Sequence, residues 1–410
     1  MIEYLRPQLI QHRCGYFAAS IKMGTMEQSV RYSLGARWIH SMLGTPVENH
    51  WINITEGQVD SVSATPAHPF TQYLGEQSII LPAGINAHAH LELSQLASPL
   101  DVPSRSMSGW VASLLAFRRS AEYNAGEGIR QAFCRREFLE STLAAADIVP
   151  NDIVPHECRE CSRLPSPMPQ PQWLPFAELL AWREDAAKTL NYGINEAGIE
   201  EAGAQIKLFG LSPHAPHTVC PALLERALEQ HVPLAMHLAE TRDERQLLRH
   251  HTGPLLEMMR RADPDYNPKS VLLGKRPMDY LRLLSAAPSA FIVHGNYLDD
   301  EELRFLAAHR ETMSVIYCPR SHAYFRHSSY PLRKMLDYGV RVLLGTDSLA
   351  SVPNLSLVEE MQFAVKRHPA ISPEILYRLG TIEGATAFHL LQEGLGIIRQ
   401  GTPARFAVIR

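Results

Sequence analysis

In the second half of the chain, short unbroken apolar runs alternate with helical patterns, and this restricts the fold more than any other feature. Residues 205–211, 232–237, 290–294, 313–318 and 340–347 read as strands. Residues 221–230, 299–309, 331–338 and 355–365 carry apolar positions at helical spacing. Strands that are apolar on both faces need cover on both faces, so the pattern specifies a parallel sheet wrapped by helices. Around eight such units in ~300 residues fit a (β/α)8 barrel. Upstream, helices are expected at 108–118, 128–145 and 176–192, and a strand at 146–154. Five prolines between 163 and 175 predict a surface loop.

Residues 1 to about 80 show no long helical period. Strand-like pieces at 36–39, 50–54 and 58–62 are punctuated by Gly57, Pro66 and Pro69. A further apolar strand, 404–409, follows Gly401-Thr402-Pro403 near the far end. A small β-domain built from both termini, 1–78 plus 393–410, is therefore expected to bracket a barrel of 79–392.

The totals exclude several classes. With 410 residues, 45% hydrophobic and 20% charged, this is an ordinary globular composition. A net charge of -4 without a basic run argues against nucleic acid as a partner. No apolar run approaches the ~20 residues of a membrane helix, and residues 1–7 lack the apolar core of a signal peptide. Six scattered cysteines suit free thiols in a reducing, cytoplasmic compartment. Cys158 and Cys161 have CxxC spacing but no second ligand pair nearby, so they read as reduced thiols in a loop.

Polar residues recur at the ends of the expected strands. His88 and His90 follow the run 78–81, and residues at i and i+2 of a strand share a face. An isolated His-x-His pair is weak evidence for a metal site, but this one has companions. His214, His237, His294 and Asp347 also fall at strand ends, and in a barrel all such ends meet at one mouth. His88, His90, His237 and Asp347 supply enough ligands for one catalytic divalent ion with an open position for water. Zinc is the first choice, and iron, manganese or cobalt accept the same donors. Nitrogen and carboxylate ligands keep the metal Lewis-acidic enough to bring water toward a pKa of ~7.

Glu240, three residues after His237, is placed to pass a proton between water and a leaving group; its plain alternative is an acid at a helix N-terminus. His294 fits three roles: stabilising charge on the substrate, orienting water, or serving as a further ligand. His214 is a pocket-lining candidate, whereas His217 reads as a loop residue.

At these residues the sequence resembles the amidohydrolase superfamily, in particular its deaminase and chlorohydrolase branch. The matching stretches are residues 81–91, Ser212-Pro213-His214-Ala215-Pro216, His237-Leu238-Ala239-Glu240-Thr241, His294-Gly295, Cys318-Pro319-Arg320-Ser321 and Leu344-Gly345-Thr346-Asp347-Ser348. They run in the family's order, and Glu359-Glu360-Met361 and Gly401-Thr402-Pro403-Ala404 extend the match. The resemblance implies a TIM-type barrel with a β-sandwich from both termini, often a homodimer. It implies one metal on His88, His90, His237 and Asp347, with Glu240 as proton shuttle and His294 as electrostatic partner over the leaving group. Lys207 stands too early on its strand to be the bridging lysine of two-metal relatives.

The sequence also departs from the family pattern. Ala83-Gly84, Ala89 and His322 replace more frequent residues, and residues 144–147 lack a usual Gly-Thr-Thr. Residues His90-Leu91-Glu92-Leu93-Ser94 are similar to members that deaminate aminodeoxyfutalosine.

The implied activity is hydrolytic deamination of an aminated purine or nucleoside-like ring, a small heterocyclic substrate. Dechlorination or amide hydrolysis on the same site is the alternative; Glu240 favours ammonia, which needs a proton to leave. A catalytically idle barrel used as a binding protein is the third reading, and loss of a ligand would have favoured it. Trp110, His214, Arg320 and His322 are the candidate substrate contacts.

Overall fold

The computed structural model describes residues 31–102, 106–150, 170–189 and 209–410. The Cys158 and Cys161 pair lies outside the described residues. The strands are β1 (Arg31–Ile39), β2 (Val47–Thr55), β3 (Gln58–Ser63), β4 (Thr71–Tyr73), β5 (Ile79–Pro82), β6 (Gly84–Ala89) and β7 (Thr142–Val149). They continue with β8 (Gln172–Leu179), β9 (Gly210–Pro213), β10 (Leu234–Leu238), β11 (Ala290–His294), β12 (Met313–Tyr317), β13 (Val342–Leu344) and β14 (Phe406–Ile409).

Strands β6 to β13 form one eight-stranded sheet in chain order, each paired in parallel with the next. The sheet closes where Ala89 bridges Asp347 and the backbone N–H groups of Thr346 and Asp347 both donate to His88 O. Asn86 ties the same seam, accepting from Thr346 N at 3.0 Å and donating to Thr346 Oγ1 at 2.8 Å. Gly345 has to be glycine here, because a Cβ would lie 2.9 Å from the His88 backbone. This is the expected (β/α)8 barrel.

Period-two alternation sorts the strand residues into two apolar layers. Leu211, Leu234, Met236, Ile292, Val315 and Leu344 belong to the layer packed under the helices. Ile85, Ala144, Leu174, Phe176, Ala235, Phe291 and Ile316 fill the barrel interior. Inside, Phe291 stacks on Phe388 with ring centroids 4.4 Å apart, so the space beneath the mouth is packed rather than open.

The other sheet has the order β14-β5-β1-β2-β3, with β4 against β1. The far end of the chain thus pairs with the near one, β14 running antiparallel to β5. Strand β5 belongs to this sheet, so it reaches four residues past the expected boundary at 78. The sheet's inner face is apolar through Leu34, Ile52, Ile54, Val59 and Ile80.

Two helical expectations are corrected. Residues 128–145 are not one helix: Ala125–Ala132 and Arg136–Ser141 are short helices, and β7 starts at Thr142. Three consecutive alanines, 144–146, looked helical, but small side chains suit a strand inside a crowded barrel. Residues 176–192 open in β8, not in a helix, and the described helix is only Glu184–Thr189. The helix Met107–Arg118 is present, capped by Ser106 rather than Ser108.

Candidate active site at the barrel mouth

Several strand ends deliver side chains to the mouth: His88 from β6 and His90 directly after it, His237 from β10, His294 from β11 and Asp347 after β13. The His88 ring lies 4.9 Å from His90, 5.0 Å from His237 and 5.8 Å from His294 between centroids. His90 Nε2 and His237 Nε2 are 3.4 Å apart, and His88 Nε2 is 3.9 Å from Asp347 Oδ1. The ligand atoms of His88, His90 and Asp347 lie within 4.8 Å of one another, as do those of His88, His237 and His294. His88 Nε2 is buried without a hydrogen-bond partner, an expensive state unless something else occupies it.

The remaining polar atoms orient these donors. His214 O receives both His237 N (2.8 Å) and His237 Nδ1 (3.1 Å), which leaves Nε2 facing the cluster. Asp347 Oδ2 accepts from Ser321 Oγ at 2.6 Å and Ser351 Oγ at 3.1 Å, which leaves Oδ1 toward His88. Burial raises the Asp347 carboxyl to about 6, with those hydroxyl bonds pulling the other way. Burial lowers His237 to about 3 and carries His88, His90 and His294 well below the ordinary imidazole value. Neutral imidazoles are the form that binds metal, so the set fits a divalent cation.

Glu240 lies outside this knot, its Oε1 3.4 Å from His294 Nε2. Burial first, then the charges of Asp347 and Glu244, push its carboxyl well above the usual range. The turn that aims it is built closely. Ala239 has φ 54°, and Glu244 accepts from Ala239 N at 2.7 Å and Glu240 N at 3.0 Å. Asn296 donates to Glu240 O at 2.9 Å. His294 and Asp347 also have positive φ, 68° and 63°, a costly backbone state for non-glycine residues that collects at functional sites. Tyr330 Oη, stacked on Tyr317 at 3.8 Å, donates to His294 O at 2.9 Å.

The substrate-contact candidates separate. His214 sits against the cluster, its ring 4.7 Å from His237. His322 is buried with an unpartnered Nε2, its ring 5.5 Å from Tyr330, on the His294 side. Trp110 donates its indole N–H to Ala350 O at 3.0 Å and packs edge-on against Phe325, so its polar atom is already engaged. Arg320 is corrected: its guanidinium binds Glu360, Glu359, Asn354 and the Ser356 carbonyl. It holds the helix Pro319–Tyr324 to the helix Leu357–Arg367 and has no donor left for a substrate.

Several residues escaped the sequence reading. Glu178 stands at the end of β8 beside His214; its signal was the alternation Leu174-Phe176-Glu178, hidden by reading a helix there. Asp147 accepts from Leu91 N at 2.8 Å and Trp173 Nε1 at 2.9 Å, fixing the turn just after His90. Ser321 and Ser351 gave no signal beyond their neighbourhood.

A closed parallel barrel with a histidine and carboxylate cluster at the strand ends defines a class, and the comparisons agree with it. The amidohydrolase family model matches residues 180–410, and the chain belongs to that family. Over 213 residues it is 34% identical to the 5-methylthioadenosine/S-adenosylhomocysteine deaminase of Pyrococcus furiosus, covering 49% of this chain and 45% of that one. It is 26% identical over 330 residues to the aminodeoxyfutalosine deaminase of Deinococcus radiodurans, covering 73% and 71%. Among solved structures, Helicobacter pylori aminofutalosine deaminase in complex with methylthio-coformycin superposes with a TM-score of 0.71 at 22% identity, covering 92% of this chain and 91% of that one. The chain spans about half the length of the curated relatives it matches at higher identity. Among the described residues, no helix is long and apolar enough to cross a membrane.

Proposed function

We propose that this chain is a metal-dependent hydrolase that deaminates an aminated purine or nucleoside-like ring. One observation carries the reading: the imidazoles of His88, His90, His237 and His294 and the carboxyl groups of Asp347 and Glu240 come together at the barrel mouth. The deaminases among its relatives support the choice of reaction. His88, His90, His237 and Asp347 hold the metal, one ion, with zinc first. When bound, that ion supplies Lewis acidity that makes water a nucleophile near neutral pH.

The chain's own groups do the rest. Glu240 takes a proton from the water as its oxygen bonds to the amino-bearing ring carbon. It returns the proton to the departing nitrogen, which leaves as ammonia, and the hydroxyl left on the ring carbon becomes a carbonyl as its proton passes to the neighbouring ring nitrogen. His294, 3.4 Å from Glu240, steadies charge beside the oxygen that adds. Glu244 and Asn296 keep Glu240 aimed. His214 and His322 line the substrate's two flanks.

The same reading divides the molecule into a small sheet unit from both ends of the chain and the barrel it brackets. It makes the protein a cytoplasmic homodimer whose partner is a small heterocycle, with nucleic acid and membrane playing no part. Free Cys134, Cys220 and Cys318 suit that compartment.

The test is a panel of 6-aminopurine nucleosides and chlorinated triazines, assayed for ammonia and chloride. Ammonia from the nucleosides is expected, with Glu240→Gln losing roughly 10²–10⁴ in rate while keeping its metal. Chloride release alone, or an unimpaired Glu240→Gln, overturns the proposal.

A further inference from the structure

Beside the metal cluster, on the β8 and β9 side, lies a second polar group that the proposed chemistry leaves unused. Glu178 is 5% exposed. It continues the inward row of Leu174 and Phe176, so period-two alternation turns it into the barrel mouth. Its Oε1 is 3.8 Å from His214 Nε2, and its Oε2 is 3.9 Å from Arg118 Nη1. Arg118, the last residue of the helix Met107–Arg118, also binds the fully buried Glu92 at 2.5 Å. Ser212 is in register with Glu178 on β9. It is fully buried, and its Oγ has no hydrogen-bond partner. Leu211 belongs to the outer layer, so Ser212 faces inward with Glu178.

We infer that Glu178 is a specificity-determining residue that accepts hydrogen bonds from hydroxyl groups on the substrate, vicinal sugar hydroxyls above all. A carboxylate has about four acceptor sites, enough to take substrate donors alongside its protein partners. The donor it prefers is neutral, because Arg118 already supplies a cation to Glu178 and Glu92, and an ammonium group would meet that guanidinium. Two adjacent hydroxyls match the two oxygens of one carboxylate, as in the acid that reads ribose in dinucleotide sites. The location suits the class. His214 links Glu178 to His237, so the reacting ring lies at the cluster while the sugar reaches one side chain further toward β8. Arg118 is a positioning residue: it fixes Glu178 and acts on the substrate only through it.

This inference rests on the nucleoside-like substrate proposed above, and the experiment separates the two. In a Glu240→Gln background, which stops turnover, calorimetric titration compares adenosine with 2′,3′-dideoxyadenosine. Adenosine is expected to bind roughly 10- to 100-fold more tightly, the range of charge-assisted hydrogen bonds. Adding Glu178→Gln brings the ratio close to one, and Glu178→Asp, which keeps the charge but shortens the reach, lowers it as well. A merely structural glutamate would weaken both ligands together and leave the ratio unchanged. Equal affinities in the parent, a ratio that survives both substitutions, or binding of neither nucleoside overturns the inference. Ammonia release is measured separately with Glu240 intact. Its absence, with the diol preference present, defeats deamination while leaving Glu178 as the reader of hydroxyls.

Discussion

Asp347 illustrates how much of the site depends on atoms one bond removed from it. One oxygen is occupied by Ser321 and Ser351, so the other is presented in a single direction. Those two donors also oppose the rise that burial imposes on the carboxyl, which stands at about 6. Removing Ser321 Oγ therefore has a determined sign: the carboxyl rises further, and protons compete with metal at higher pH. Ser321→Ala is expected to weaken metal binding roughly 10- to 100-fold, the usual cost of losing such a partner. Its loss of metal with acid should begin at a higher pH than in the parent. Competition with a chromophoric chelator across pH measures both effects; an unchanged affinity and an unchanged acid limb would show that Ser321 does not orient Asp347. The histidines and the aspartate gathered at the mouth were legible because such residues at strand ends are few and chemically distinctive. Ser321 and Ser351 were not, since a serine's role depends entirely on which carboxylate lies within 3.1 Å of it.

At the scale of elements, the same contrast explains which strands were readable. Strands β10, β11 and β12 are unbroken apolar segments between clear helices, and they lie where the pattern put them. Strand β8 begins in a proline-rich stretch and contains Pro175, so breaker residues masked it; the parallel pairings with β7 and β9 decide its state. Misreading it hid Glu178. Arg320 misled for a related reason. It follows the strand-end Cys318-Pro319, where a pocket residue is expected, but the first turn of its helix faces the helix Leu357–Arg367. There Glu360, fully buried, accepts from Arg320 N at 2.9 Å and from Nε at 2.6 Å. Arg320→Met strands that carboxylate, and breaking a buried pair costs about 3–5 kcal/mol. The double variant with Glu360→Met is expected to recover most of the loss. Denaturant melts of the three proteins test this; a single variant that melts normally yet raises KM would return Arg320 to the substrate.

For the whole molecule, the placement of so many histidines sets how it responds to acid. The barrel interior beneath them is plugged by Phe176, Phe291 and Phe388, and the strands enclose them on all sides, so a charged imidazole there is poorly solvated. Burial accordingly lowers His214 and His237 to about 3 and takes His88, His90 and His294 well below their ordinary value. In the unfolded chain the same rings titrate near 6.5. Between 6.5 and the folded values the unfolded state binds more protons, so stability is full above that window and falls as pH drops through it. Each such ring contributes up to about 1.4 kcal/mol per pH unit. Metal acts in the same direction, because it binds only the neutral rings of the folded state. At a hundredfold excess over its dissociation constant it adds about 2.7 kcal/mol, and that increment shrinks as protons compete. The carboxyls that burial raises, Asp347 to about 6 and Glu240 well above its usual range, act with the opposite sign, so the zinc-dependent difference is the readout that isolates the ligand rings. Calorimetric melts of chelator-treated and zinc-loaded protein from pH 8 to pH 5 should therefore show that gap narrowing with acid. A gap that stays constant from pH 8 to pH 5 would mean that protons do not compete for the ligand set, and the neutral cluster on which the enzyme reading depends would then not exist.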